Sequence, residues 1–296
     1  MPRILLLGAG GQLGMQLKQA LAGLEGVQLT SLGRAELDLS DAEAIRAVVR
    51  TAQPEIVINA AAYTAVDKAE QEQEQELARL VNAVAPGEIA EELAKTNGWL
   101  IHYSTDYVFD GSGAEPWRET DATGPLGVYG QTKLDGELAI AATGCRHVIL
   151  RTSWVYAAEG RNFLHTMLRL GREREQLKIV DDQVGAPTSA EAITAATMAV
   201  LRYLAASGDT ADASGVYHLT CGGATSWCGF AGAIFGAFAS QQKVPELVAI
   251  PTEAYPTPAR RPKNSRLCCD KFTERFGFQM PEWRDALSDV ARTMLS

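Results

Sequence analysis

Three glycines spaced Gly8-x-x-Gly11-x-x-Gly14 stand behind the apolar run Arg3–Leu7 and open a predicted helix that starts at Gln12. Strand, glycine turn and helix in that order constrain the fold strongly, because glycine alone accepts so tight a reversal with so close a backbone approach. Gly8 permits the turn, Gly11 lets a pyrophosphate approach the backbone, and Gly14 lets helix and strand pack closely. The N–H groups and partial positive charge at the helix start then suit an anion. The loop predicts a dinucleotide site.

The remainder of the first half repeats this alternation. Residues 27–32, 55–59, 99–104 and 147–152 read as strands. Residues 12–24, 42–50, 68–95 and 129–142 read as helices, the third broken near Pro86-Gly87. Near-continuous apolar strands alternating with helices predict an α/β chain with a Rossmann-type, doubly wound parallel sheet. After Trp154 the pattern loosens: 162–174 and 190–206 look helical, and 215–266 is rich in Gly, Pro and Thr. The expected organisation is a dinucleotide-binding domain over 1–155, rejoined by about 188–215. Residues 156–296 then form mainly a smaller, discontinuous C-terminal substrate lobe. The acidic run 70–76 reads as the solvated start of a helix.

Composition removes several classes of function. The chain has 296 residues, 46% hydrophobic and 21% charged, which is ordinary for a folded enzyme. No apolar stretch approaches the ~18–20 residues that span a bilayer, and the run at 4–7 is too short for a signal peptide. A formal charge of −9 argues against nucleic acid and membrane surfaces as partners. The five cysteines include no CxxC pair, and adjacent Cys268 and Cys269 read as two ordinary thiols in preference to a strained disulfide. Four scattered histidines carry no zinc signature. A cytoplasmic setting is expected.

Residues 129–133 read Tyr-Gly-Gln-Thr-Lys. On a helix this spacing places Tyr129 and Lys133 on one face, one turn apart. An ammonium beside a phenol lowers the phenol pKa from about 10 and makes Tyr129 a proton donor or acceptor near neutral pH. The pair alone is short and degenerate, and ordinary amphipathic helices carry it too; the glycine loop decides for chemistry. The fourth strand ends Ser104-Thr105-Asp106, where a hydroxyl faces the crevice of a doubly wound sheet. The end of the second strand selects the cofactor. It reads Gly33-Arg34, without a carboxylate before Glu36, and an arginine there pairs with a 2′-phosphate. That predicts NADPH, with NADH as a weaker substrate. Asp38-Leu39 suits the adenine, and the alanines at 60–62 leave room for the cofactor.

Longer blocks extend the pattern. They are Gly11-Gln-Leu-Gly14, Asn59-Ala-Ala-Ala-Tyr-Thr-Ala-Val-Asp-Lys-Ala-Glu70 and Tyr103-Ser-Thr-Asp-Tyr-Val-Phe109. Further on come Val128-Tyr-Gly-Gln-Thr-Lys133, Arg151-Thr-Ser-Trp-Val-Tyr156, Asp182-Gln-Val-Gly-Ala-Pro-Thr188 and Arg261-Pro-Lys-Asn-Ser-Arg-Leu267. Together they resemble the dTDP-4-dehydrorhamnose reductase family of the extended short-chain dehydrogenase/reductase superfamily, over nearly the whole chain.

The resemblance implies NADPH-dependent reduction of the C4 ketone of dTDP-4-dehydro-β-L-rhamnose to dTDP-L-rhamnose, the last step of dTDP-rhamnose biosynthesis. Tyr129 would protonate the developing alkoxide, Lys133 would hold the nicotinamide ribose, and Thr105 would hydrogen-bond the tyrosine or the sugar oxygen. By the same carry-over Asp106 and Trp154 contact the sugar. Gly11, Gln12, Leu13, Asp38, Leu39, Ala62, Tyr63, Thr64 and Tyr103 line the cofactor. Arg260, Arg261, Lys263 and Arg266 form a dense basic cluster, in which Arg261 and Arg266 are the expected partners of the substrate's diphosphate.

Some members dimerise through magnesium held by glutamates. Gln16 stands at one such position, and a neutral amide is a poor ligand for a hard dication. No metal site is expected; the chain is read as a monomer or homodimer. Two other readings compete. A nucleotide-sugar dehydratase is disfavoured because Asp106-Tyr107 lacks the Asp-Glu pair of the dehydratases, and an epimerase would retain its nicotinamide through turnover where a reductase exchanges it. A non-catalytic NADP-binding regulatory subunit, such as that of methionine adenosyltransferase, is disfavoured by the complete Thr105, Tyr129 and Lys133 set.

Overall fold

A computed structural model describes residues 2–206 and 211–296. Its centre is a six-stranded sheet, parallel throughout. The strands are β1 (Arg3–Leu7), β2 (Gln28–Leu32), β3 (Ile56–Asn59), β4 (Trp99–Thr105), β5 (Arg146–Thr152) and β6 (Gly215–His218), in the order β6-β5-β4-β3-β1-β2. The period of two explains why these strands read as continuous apolar runs. Ile4 and Leu6 enter one hydrophobic core while Leu5 and Leu7 enter the other, and Ile101 and Leu100 divide in the same way.

Helices cover both faces. Gln12–Ala22 and Ala190–Ala206 pack on one side, through Leu13, Leu17, Ile193 and Val200. Ala42–Ala52, Ala85–Thr96 and Val128–Ala142 pack on the other, through Ile45, Val49, Ile89 and Ile140. The first of these cores continues without interruption into the C-terminal residues Phe230, Phe235, Trp283 and Leu287. Because the chain turns from β1 to β2 on one side and to β3 on the other, the order reverses beside β1. A ligand crevice is expected at the carboxyl ends of the strands there.

Two expectations need correction. The helical stretch before β4 is not broken at Pro86-Gly87. It runs through Glu72–Arg79, a π-turn at Leu80–Val84 and Ala85–Thr96, with Pro86 at the start of the last piece. Proline has no N–H for the carbonyl four residues back, and the wider π-turn admits its ring without ending the helix. The region after 215 is also more regular than its composition suggests, with helix Trp227–Ala237 and strand Glu246–Ile250. That helix carries no charged side chain, and its exposed positions are the glycines 229, 232 and 236, so it shows no polar–apolar period to read. All five cysteines are free thiols.

Candidate active site

The carboxyl ends of β1, β3, β4 and β5 open into one cleft of about 890 Å³. At its dinucleotide end the glycines behave as their spacing predicts. A Cβ on Gly8, whose φ is +79°, would lie 2.6 Å from the Ala61 nitrogen, and one on Gly14 would lie 2.0 Å from the Gly8 carbonyl oxygen. Gly14 therefore packs beneath the loop, while Gly8, Gly11, Gln12 and Leu13 line the cleft. Helix Gln12–Ala22 has no side-chain cap and no acidic residue in its first turn, so its leading N–H donors are free for an anion. That cradle fits a pyrophosphate.

Arg34, Asp38 and Leu39 line the far end of the cleft. Asp38 accepts the Ser40 backbone N–H at 2.9 Å and its hydroxyl at 2.8 Å; these hold its carboxyl below the usual range, and the Arg34 charge adds to them. Ala62, Tyr63 and Thr64 form one wall. Asn82, inside the π-turn, fastens that wall. Its Oδ1 accepts the Tyr63 N–H at 2.8 Å, and its Nδ2 donates to the Tyr63 carbonyl at 3.1 Å and to Thr132 at 3.2 Å. A π-turn at a functional wall is a recurring arrangement.

Helix Val128–Ala142 carries Tyr129 and Lys133 and is held on several sides. Glu70 Oε1 accepts the Val128 N–H at 2.9 Å, and Cβ atoms on Gly130 or Gly136 would press to 2.2 and 2.1 Å from the carbonyl oxygens of Tyr107 and Asn82. Thr105, at the end of β4, faces Tyr129, donates to Asp106 Oδ1 at 3.0 Å and accepts the Tyr107 N–H at 3.2 Å. The Tyr107 ring meets Tyr129 edge-on, 5.5 Å between centroids. Tyr129, Lys133 and Thr105 all border the cleft.

Their electrostatics depart from expectation. Burial pushes Tyr129 up to about 12; the Thr105 hydrogen bond opposes this and the Asp106 charge adds to it. Lys133 is engaged elsewhere. Its Nζ donates to the Tyr103 carbonyl at 2.7 Å and lies 3.1 Å from His102 Nε2, and burial lowers its own pKa to about 8. Tyr103 borders the cleft, but its hydroxyl bonds Thr197 at 2.7 Å on the helix behind the sheet.

At the other end lie Asp106, Trp154 and Arg261. Asp106 is raised to about 6, burial outweighing hydrogen bonds from Ser265 and Thr105. Trp154 takes a positive φ of 49° and stacks on Trp227, 3.6 Å between centroids and 12° between planes. The absence of a Cβ at Gly185 makes room for it, since one would stand 2.8 Å from the indole. Arg261 donates to Asp67 at 2.9 Å, and its buried Nε has no partner among the described residues. Arg266 is not part of the cleft: its Nε donates to Asn264 at 2.9 Å. Lys263 pairs with Asp182 and Glu253, and Arg260 is exposed. The basic run is therefore dispersed in space.

Tyr107, Arg161 and Trp227 also line the cleft and were not anticipated. Tyr107 lay inside a block already noted, directly after Asp106. Trp227 follows Ser226, whose hydroxyl caps its helix, and Arg161 lies in a glycine turn. Among the described residues no three His, Cys, Asp or Glu side chains gather to hold a metal, and no helix is long and apolar enough to cross a membrane.

A family model described as the RmlD substrate binding domain matches residues 2–296. A dTDP-4-dehydrorhamnose reductase of Burkholderia thailandensis is 48% identical over 99% of both chains. One from Escherichia coli is 47% identical over 95% of this chain and 94% of its own. Among solved structures, the Clostridium acetobutylicum dTDP-4-dehydrorhamnose reductase superposes with a TM-score of 0.91 at 34% identity, covering 99% of this chain and 100% of that one. The Bacillus anthracis reductase, solved with NADP, gives 0.89 at 33% identity, covering 99% of each. Matched from one end to the other in sequence and in fold, the chain belongs to the dTDP-4-dehydrorhamnose reductase family.

Proposed function

We propose that this protein reduces the C4 ketone of dTDP-4-dehydro-β-L-rhamnose to dTDP-L-rhamnose. The observation that carries the reading is the convergence of Thr105, Tyr129 and Lys133 in the same cleft as the glycine cradle. NADPH supplies the hydride when bound. Gly8 and Gly11, with the free N–H groups of the first helix, hold the pyrophosphate, and Arg34 meets the 2′-phosphate. Asp38 and Leu39 border the adenine, Ala62, Tyr63 and Thr64 the facing wall, and Lys133 the nicotinamide ribose.

Tyr129, fully protonated at neutral pH with its pKa near 12, gives its proton to the C4 oxygen as charge develops there. Thr105 directs a hydroxyl to the same oxygen. Asp106 and the stacked Trp154 receive the sugar, polar on one side and apolar on the other. Arg261, the cation of the 260–266 run that lines the cleft, takes the diphosphate. Arg266 has no place in that set.

Oxidation of NADPH, followed by absorbance with substrate generated by an epimerase, tests the reading. Turnover should fall about 100- to 10,000-fold in Tyr129→Phe, the range set by one general acid, with NADPH binding retained. Tight NADPH binding without any turnover in the unsubstituted protein would instead favour the regulatory-subunit reading. A cytoplasmic enzyme, monomeric or dimeric, with residues 1–155 serving the cofactor and 156–296 mainly the sugar, is the setting proposed with it.

A further inference from the structure

Trp154 stands at the sugar end of the cleft with a φ of 49°, in the left-handed region that a bulky L-residue seldom adopts. Such a conformation persists only where its surroundings over-determine it. The main chain accounts for part of this. Thr188 donates its N–H to the Trp154 carbonyl at 3.2 Å, and the next residue, Val155, pairs with Thr188 in a short parallel ladder. These bonds fix the backbone and leave the direction of the side chain open. Among the described residues the Trp154 ring makes no hydrogen bond of its own; it is bounded by Gly185, which leaves room for it, and by the stacked ring of Trp227.

Trp227, by contrast, is anchored. Its Nε1 donates to Gln183 Oε1 at 3.2 Å, and the buried Gln183 donates in turn from Nε2 to the Thr252 hydroxyl at 3.1 Å. Phe163 packs against the indole, 4.6 Å between centroids. The chain around it is held as well. Thr225 and Ser226 pair antiparallel with Gly185 and Val184, and Ser226 caps the helix that Trp227 begins. The segment that carries Trp227 is thus bonded to the segment that makes room for Trp154.

We propose that Trp227 is a positioning residue: its anchored indole, stacked on Trp154, holds that side chain in the orientation that receives the sugar of the substrate. The stack covers one face of Trp154 and commits no polar group to the cleft, since the Trp227 N–H is engaged by Gln183. A wall already held in place loses little rotamer freedom when a ligand arrives, so more of the contact energy appears as affinity. That Trp154 meets a sugar rests on the reductase reading; that Trp227 holds Trp154 does not.

The first test is circular dichroism of the ligand-free protein. Two stacked indoles couple their electronic transitions and give a couplet, a pair of bands of opposite sign. The chain has five tryptophans, so substitution assigns the couplet. It should vanish in Trp154→Phe and equally in Trp227→Phe. No couplet in the unsubstituted protein, or one that survives either substitution, overturns the proposal.

The second test is calorimetric titration with dTDP-L-rhamnose, beside kcat and KM. Trp227→Ala should raise Kd and KM for the sugar nucleotide about tenfold, the scale of one aromatic contact, and leave kcat within about threefold. Trp227→Phe, which keeps a ring to stack on, should recover most of the affinity. In a Trp154→Ala background, Trp227→Ala should cost less than about twofold more, because nothing is left to position. Equal costs in the two backgrounds would give Trp227 a sugar contact of its own and overturn the positioning role, as would an unmoved Kd in Trp227→Ala. Should Trp227→Ala fail to fold, Trp227→Leu, with apolar volume but no aromatic face, takes its place. A protein that shows the couplet but neither binds dTDP-L-rhamnose nor oxidises NADPH with the keto sugar would remove the reductase reading and leave the stack standing.

Discussion

Arg151 on β5 and Glu137 on the helix that carries Tyr129 form a bidentate ion pair, Nε at 2.9 Å and Nη2 at 2.6 Å from the carboxylate, with side chains only 5% and 4% exposed. The guanidinium also lies over the Phe109 ring at 5.1 Å. The pair ties β5 to the catalytic helix. Removing the carboxylate alone leaves a buried cation without a partner, so Glu137→Gln should cost about 3–5 kcal/mol in denaturant unfolding. The double variant Glu137→Leu/Arg151→Met should lose far less, because no charge is then stranded. Equal losses in the two would show that the charge is not what the fold depends on.

Asp106 links pH to stability. Its carboxyl rises from 3.8 to about 6 on folding. Between those values the native state keeps a proton that the unfolded chain has released, so stability falls as pH rises through that window. The ionised group then costs about 3 kcal/mol above pH 6, two units at 1.36 kcal/mol each. Asp106→Asn should therefore unfold at higher denaturant concentration than the unsubstituted protein at pH 8. The advantage should shrink towards zero near pH 4. A gain constant across that range removes the argument.

The exposed Arg34 stands at the rim of the cleft near Asp38. A guanidinium there meets a 2′-phosphate and has no comparable partner in a 2′-hydroxyl. Arg34→Ala should weaken NADPH binding about tenfold, in the range of one charged hydrogen bond, and leave NADH nearly unchanged. Fluorescence titration with both nucleotides checks this. Equal weakening of the two would assign Arg34 to the shape of the cleft and not to the phosphate.

What could be read beforehand and what could not divide along a physical line. The glycine loop, the strands and the Tyr129–Lys133 pair depend on local spacing: a turn, a period of two, a helical turn. Contacts between distant segments do not. Asn59 and His102 meet only through strand register, and His102 and Lys133 only because a helix packs on that sheet. The basic run at 260–266 is misleading for the converse reason. Neighbours in sequence turn to different partners, and Arg261 alone among those four cations faces the cleft. The Lys133 effect on Tyr129 fails on the same ground, since helical spacing gives proximity but not the direction of Nζ.

Arg161 extends this to a loop. It lies between Tyr156 and the helix Phe163–Glu173, in a turn made by Gly160 at a φ of +86°. The loop is fastened to the dinucleotide end: Asn162 Nδ2 donates to Gln12 Oε1 at 2.7 Å and to the Ala157 carbonyl at 2.9 Å. A Cβ on Gly160 would come within 2.8 Å of Gln12 Cγ, so the turn and the first helix are in close contact. Arg161 lines the cleft beside the glycine cradle and forms no ion pair among the described residues. Its charge is thus available to the anionic cofactor. Arg161→Ala should raise the Kd for NADPH about tenfold and flatten its dependence on salt, because one screened cationic contact is lost. Turnover at saturating NADPH should stay within about twofold, since the contact lies away from the reacting atoms and weakens binding alone. Arg161→Lys should recover part of the affinity through charge without the planar fork. An unchanged Kd in Arg161→Ala, measured at low salt where such a contact is strongest, would leave the loop a structural cover over Gln12 and nothing more.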